Sequence, residues 1–274
     1  MGEFMYKLIK LEFSNCINNI RFKIMFSILL SISIINFLMT CIQNFGNTSN
    51  SVNVFYLMGM LQGTSFRSMF FFFIVTMPII VSLIYSDSYY TDRKNGIYTS
   101  IYMRVGRREY IVAKLIVVAL MSFICVFLTL FINEFLIFIT FNNKGSYMQG
   151  IKVYEYKDRY IDTEFLSYIN VYNPIIFKLI LIFINSLYAL LISMFTYSLS
   201  LVLKVKSISI IALVSIGVYL WDILIFKLGL GMKFSMIMYQ QGGSGNLLSL
   251  LILIVSWIIL ISIIFVIGIK KDII

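Results

Sequence analysis

The chain has 274 residues, 60% of them hydrophobic and only 12% charged, with a net charge of +10. Soluble domains carry roughly 25% charged residues, so there is too little charge here to cover a water-facing surface, and the basic residues lie in short islands rather than on a nucleic-acid face. There is no histidine, and Cys16, Cys41 and Cys125 share no close spacing. Histidine acid–base and zinc chemistry, a disulfide framework and a cysteine metal site are therefore excluded.

The apolar runs are spaced as a helical membrane protein requires, at about 20 residues each. No cleavable signal is expected, because the first apolar run is too long for a signal core and no small-residue cleavage site follows it. Residues 5–20 come first. Met5, Leu8, Ile9, Phe13, Cys16, Ile17 and Ile20 fall on one side at helical spacing, and Glu12 is an exception on that side. The pattern predicts an amphipathic helix lying in the membrane interface. The first span is expected over 22–44, followed by an uncharged polar stretch and an intermediate run, 57–67, that reads as a short outer helix. The second span is expected over 68–85 and contains Pro78, which a membrane helix tolerates where neighbours satisfy the freed carbonyl.

Residues 92–108 form a compact basic segment. Within it Tyr98, Ile101, Tyr102 and Val105 sit at i, i+3, i+4 and i+7, with Asn95-Gly96 before them and Gly106 after. That stripe predicts a short helix. A helix this short is unstable alone in water and needs a surface to pack on. Its anchors have the geometry of helix-in-groove docking, while Arg93, Lys94, Arg107 and Arg108 serve topology and lipid headgroups.

The third span is expected over 110–141, long enough to tilt or to project beyond the membrane. The loop at 142–173 balances Lys144, Lys152, Lys157 and Arg159 against Glu155, Asp158, Asp162 and Glu164, and its alternating IKVYEY suggests a small hairpin lid. The fourth span is expected over 174–203, opened by Pro174 in the first helical turn. The Lys204–Lys206 turn leads to the fifth span at 207–226. A glycine-rich stretch then holds a short apolar piece, 232–241, that reads as re-entrant or interfacial. The sixth span is expected over 247–269.

Six spans put both ends on one side. Placing them in the cytosol puts fourteen of the 22 basic residues inside: Lys7, Lys10, Arg21, Lys23, Arg93, Lys94, Arg104, Arg107, Arg108, Lys114, Lys204, Lys206, Lys270 and Lys271. The positive-inside rule selects this orientation. It makes 92–108 cytosolic and 142–173 external. Intramembrane acids are functional candidates by default. Asp222 and Glu134 both lie near the outer surface, where water or a lysine such as Lys178 or Lys227 would satisfy them, and Arg67 stands at the outer mouth of the second span. These three are candidates for a substrate path or for local pairing.

An interfacial helix, six spans and the cytosolic YTDRKNGIYTSIYMRVGRREYIVAKL together resemble the permease subunit of the second class of ATP-binding-cassette exporters. In that family the run after span two carries a glycine opening a coupling helix, then a basic residue and a Tyr-x-x-x-Lys entering span three. Gly96, Arg107 or Arg108, Tyr110 and Lys114 match those places. The resemblance covers the whole chain as topology and only this segment as a motif, and the 142–173 loop is longer than the simplest members show.

The resemblance implies an all-α membrane domain at the cell membrane. It implies an ATPase-docking site at Gly96, Ile97, Tyr98, Ile101, Tyr102, Arg104 and Val105, with a weaker contact at the 204–206 turn. It also implies that two copies, or one copy and a paralogue, enclose the pathway. The chain has no G-x-x-x-x-G-K-[ST], so it is not itself the enzyme, and ATP and Mg would be bound by a separate ATPase subunit. The small six-span members resemble exporters of amphipathic peptides, of phenol-soluble-modulin or bacteriocin type. A drug or lipid exporter is the alternative within the family.

A secondary transporter would want midplane carboxylates and repeated halves, and neither is evident. An intramembrane enzyme would want histidine or paired acids. A non-transporting scaffold is the remaining class. The bias toward Ile, Asn, Lys and Tyr points to an AT-rich genome, as in low-GC Gram-positive bacteria.

Overall fold

A computed structural model describes residues 2–43, 45, 60–61, 67–86, 88–94, 96, 106–141, 165–203, 205–243 and 245–271. Every regular element among them is a helix. In chain order these are α1 (Gly2–Asn18), α2 (Ile20–Gln43), α3 (Arg67–Ile84), α4 (Ser88–Lys94), α5 (Arg107–Thr140), α6 (Ser167–Tyr172), α7 (Pro174–Val202), α8 (Ser207–Lys227), α9 (Gly231–Phe234), α10 (Met236–Gln240) and α11 (Leu247–Lys270).

Five of these helices, α2, α5, α7, α8 and α11, are long and apolar enough to cross a membrane. Their outer faces are apolar too: Ile208 is 77% exposed and Leu248 69%. Surfaces of this kind are solvated by hydrocarbon rather than water, and the chain is a membrane-embedded multi-pass protein. α3 coincides with the expected second span but is a shorter apolar helix, Ser68–Ile84. α5, with 34 residues, is about 51 Å long at 1.5 Å per residue, so it projects well past a hydrocarbon core of about 30 Å.

The long helices run alternately between two ends of one bundle. α1, the start of α5 and the end of α11 share one end. There the Arg107 guanidinium donates to the carbonyls of Gly268 at 3.4 Å and Lys271 at 2.9 Å, and the Lys271 ammonium donates to the Val202 carbonyl at 2.7 Å. α6, α9 and α10 occupy the far end. α5 and α7 form the spine, with Phe123 edge-on to Phe183 at 5.6 Å and the Tyr197 hydroxyl donating to the Ile111 carbonyl at 3.2 Å.

α2 is fastened to α5 by a polar ladder. Ser33 donates to the Thr129 carbonyl at 2.8 Å, and the Asn133 amide donates to the Ser33 carbonyl at 2.8 Å and the Asn36 side-chain oxygen at 3.3 Å. Small and amide side chains serve this purpose between membrane helices because lipid gives apolar contacts no advantage over protein. Pro78 lies inside α3 and deprives the Ile74 carbonyl of its i+4 donor. The Tyr219 hydroxyl of α8 fills that role, lying 3.2 Å from the Ile74 oxygen and 2.6 Å from that of Val75. A neighbouring helix thus satisfies the freed carbonyl, as the sequence reading required.

The expected hairpin in the 142–173 loop and the outer helix over 57–67 fall almost wholly outside the described residues. The loop's last part is described. Phe165 is buried, its N–H donates to the Gly243 carbonyl at 2.8 Å, and its ring meets Tyr239 edge-on at 5.3 Å. α6 follows directly. The expected apolar piece at 232–241 is two short helices, α9 and α10.

Candidate functional site

The densest polar constellation lies at the α1 end and joins four helices. It begins with the inward stripe of α1, where Leu8, Glu12 and Cys16 recur every fourth residue and are all buried. Glu12 breaks the apolar pattern because a partner waits for it. Tyr85, just past the end of α3, donates its hydroxyl to Glu12 Oε2 at 2.7 Å. The Lys114 ammonium of α5 stands 3.8 Å from the same oxygen.

α4 brings the second carboxylate. Its Tyr89 is buried and packs edge-on against Tyr197 of α7 with centroids 6.5 Å apart. That contact fixes the helix so that Asp92 faces α5. Tyr110 and Lys114 lie one turn apart on the same face of α5, and both donate to Asp92 Oδ2. Lys114 is 1% exposed, with its ammonium 4.9 Å from the Tyr110 ring centroid and 5.6 Å from that of Tyr85. One cation is therefore held by two carboxylates and two aromatic faces.

The electrostatics are unbalanced, since two acids share one ammonium. Burial raises the Glu12 carboxyl above the ordinary glutamate range, while Lys114 and the Tyr85 hydroxyl oppose that rise. Burial also pushes the Tyr85 phenol up, with the Glu12 charge adding to the effect, so Tyr85 stays a donor throughout the physiological range.

This junction brackets the 96–106 stretch of the basic segment. Asp92 lies before it, on α4, and Tyr110 and Lys114 lie after it, on α5. At its edges Gly96 has φ 70° and Gly106 has φ 84°. Both angles are in the left-handed region open to glycine, and a Cβ at Gly106 would run into the Glu109 carboxylate. Of the docking residues expected from the sequence, Gly96 is described, while Ile97, Tyr98, Ile101, Tyr102, Arg104 and Val105 lie outside the described residues.

The other expected candidates separate. Glu134 is paired: Lys178 of α7 donates to its Oε2 at 2.8 Å. Asp222 is 3% exposed, with no hydrogen-bond partner on either oxygen. A lysine therefore satisfies one acid and not the other. Arg67 begins α3, but its side chain lies outside the described atoms. Among the described residues, no three His, Cys, Asp or Glu side chains gather as metal ligands.

Sequence reasoning matched Tyr110 and Lys114 by motif and missed Glu12, Tyr85 and Asp92 as their partners. The one visible signal was an acid on the apolar side of α1. No protein-family model, curated protein or solved structure matches this chain.

Proposed function

We propose that this chain is the membrane-spanning subunit of an ATP-driven exporter of the second ATP-binding-cassette class. The observation that carries the reading is the Glu12–Lys114–Asp92 junction. A segment whose two flanks are tied to one buried ammonium moves together with α1, α3 and α5. Force applied at 96–105 by an ATPase would reach the transmembrane helices through that knot.

In this reading α3 is a sixth crossing, α1 lies at the interface, and both termini are cytosolic at the plasma membrane. Two copies, or one copy and a paralogue, enclose the path, and ATP and Mg belong to a partner subunit docked on the basic segment. The cargo is amphipathic or apolar, in the first instance a peptide, because the described spans offer few charged groups to replace a hydration shell.

Tyr98→Asp with Tyr102→Asp tests the docking. The doubly substituted protein is expected to keep its membrane fold, measured by size-exclusion profile, and to lose co-purification with the ATPase. Normal co-elution and peptide-stimulated ATP hydrolysis would remove the docking role.

A further inference from the structure

One side of α5 carries a phenylalanine ladder. Phe123, Phe127, Phe131 and Phe135 recur every fourth residue, each ring stacked on the next with centroids 5.9, 5.9 and 6.0 Å apart. At 1.5 Å per residue the ladder runs about 18 Å from the middle of α5 toward the far end. That is close to the roughly 15 Å that one leaflet contributes to a hydrocarbon core of about 30 Å. The outer rungs line a groove between α5 and α7, with Phe131, Phe135 and Phe138 on one wall and Ile175 and Leu179 on the other. Phe135 is 51% exposed and Ile175 47%, so the groove opens toward the bilayer. Its volume, about 190 Å³, is below the roughly 300–1,000 Å³ of pockets that enclose compact ligands. A furrow of this size between two helices packed on each other takes an extended hydrocarbon chain better than a helical peptide.

The groove also has a polar part. Glu134 and Lys178 line it, and their side chains are only 12% and 7% exposed. Lys178, in the second turn of α7, donates to Glu134 Oε2 at 2.8 Å. Glu134 Oε1 is buried with no hydrogen-bond partner among the described residues. A buried acceptor left unsatisfied is costly and points to a missing donor. An ammonium has three N–H donors, and Lys178 spends one of them on Glu134.

The ion pair therefore sets a spare acceptor beside a cation with donors to spare. A headgroup carrying both an ammonium and a phosphate is its complement. A quaternary ammonium is not, because it has no N–H for Oε1. We propose that this groove binds a phospholipid with a primary-ammonium headgroup. The ammonium donates to Glu134 Oε1, the phosphate accepts from Lys178, and one acyl chain lies along the phenylalanine ladder. The site is independent of ATP-driven transport.

Native mass spectrometry tests it, on the full chain released from mixed micelles holding equal amounts of dioleoyl phosphatidylethanolamine and dioleoyl phosphatidylcholine. The wild type is expected to retain the ethanolamine lipid about tenfold over the choline lipid, the ratio that one hydrogen bond to a charged group supports. Glu134→Gln should bring the two near parity. Leu179→Trp fills the groove, leaves both charged residues in place and should also abolish the preference. Equal retention by the wild type would overturn the site and leave the groove to ordinary boundary lipid. Equal retention together with capture of an added lysine-bearing amphipathic peptide would assign it to a peptide instead. A preference undiminished in either variant would overturn the site as well. Should Glu134→Gln not fold, Leu179→Trp decides, because its position is 42% exposed and outside the ion pair.

Discussion

The two ends of the bundle bury carboxylates in opposite ways. At the α1 end, Glu12 and Asp92 share Lys114 and two tyrosine hydroxyls, so each of these three charged groups has a partner. At the far end Asp222 has no cation beside it among the described residues. Removing a charge from water costs several kcal/mol unless geometry restores what hydration supplied. The first end restores it from within the chain, from helices that meet only when the fold is complete. The second offers the Asp222 carboxylate only the Ser235 hydroxyl and the Met236 N–H nearby, and no cation among the described residues.

The largest test of this contrast is Lys114→Met. It strands two carboxylates around an apolar side chain and should destabilise the protein by about 3–5 kcal/mol, read as a sharply lowered unfolding midpoint and poor yield in detergent. A variant as stable as wild type would mean that the α1-end charges are not mutually dependent.

A middle-sized effect separates charge from neutral polarity. Asn133→Leu removes two of the three rungs between α2 and α5 without touching an ion, and should cost about 1–2 kcal/mol. A loss equal to that of Lys114→Met would erase the special standing of the ionic junction.

The smallest effect is a slope. Because burial holds the folded Glu12 carboxyl above its ordinary value near 4.5, the folded state binds the proton more tightly than the unfolded one. That contribution is fully present below the ordinary value and is lost as pH rises through the raised one. Melting midpoints should therefore fall with pH across that window in wild type, and the dependence should flatten in Glu12→Gln. A slope of the opposite sign would show that pairing with Lys114 outweighs burial.

Much of the fold was legible in the residue order. The apolar runs that end at Gln43, Val202, Lys227 and Lys270 stop within a residue or two of where the pattern stopped, because a helix in lipid must satisfy its backbone internally for the whole crossing. Pro174 opened α7 as its fixed φ requires. The need for a carbonyl partner near Pro78 could also be read, but not that Tyr219 would supply it.

The sequence by itself determined that this chain lives in lipid and where its long helices lie. These follow from local rules of period and length. The tertiary structure alone decided which acids find a base. Glu12 and Lys114 are a hundred residues apart, Asp92 reaches Lys114 across the glycine-bounded segment, and Asp222 is passed over although Lys227 is only five residues away. Burial and pairing depend on how separate helices pack, and no local pattern encodes that packing.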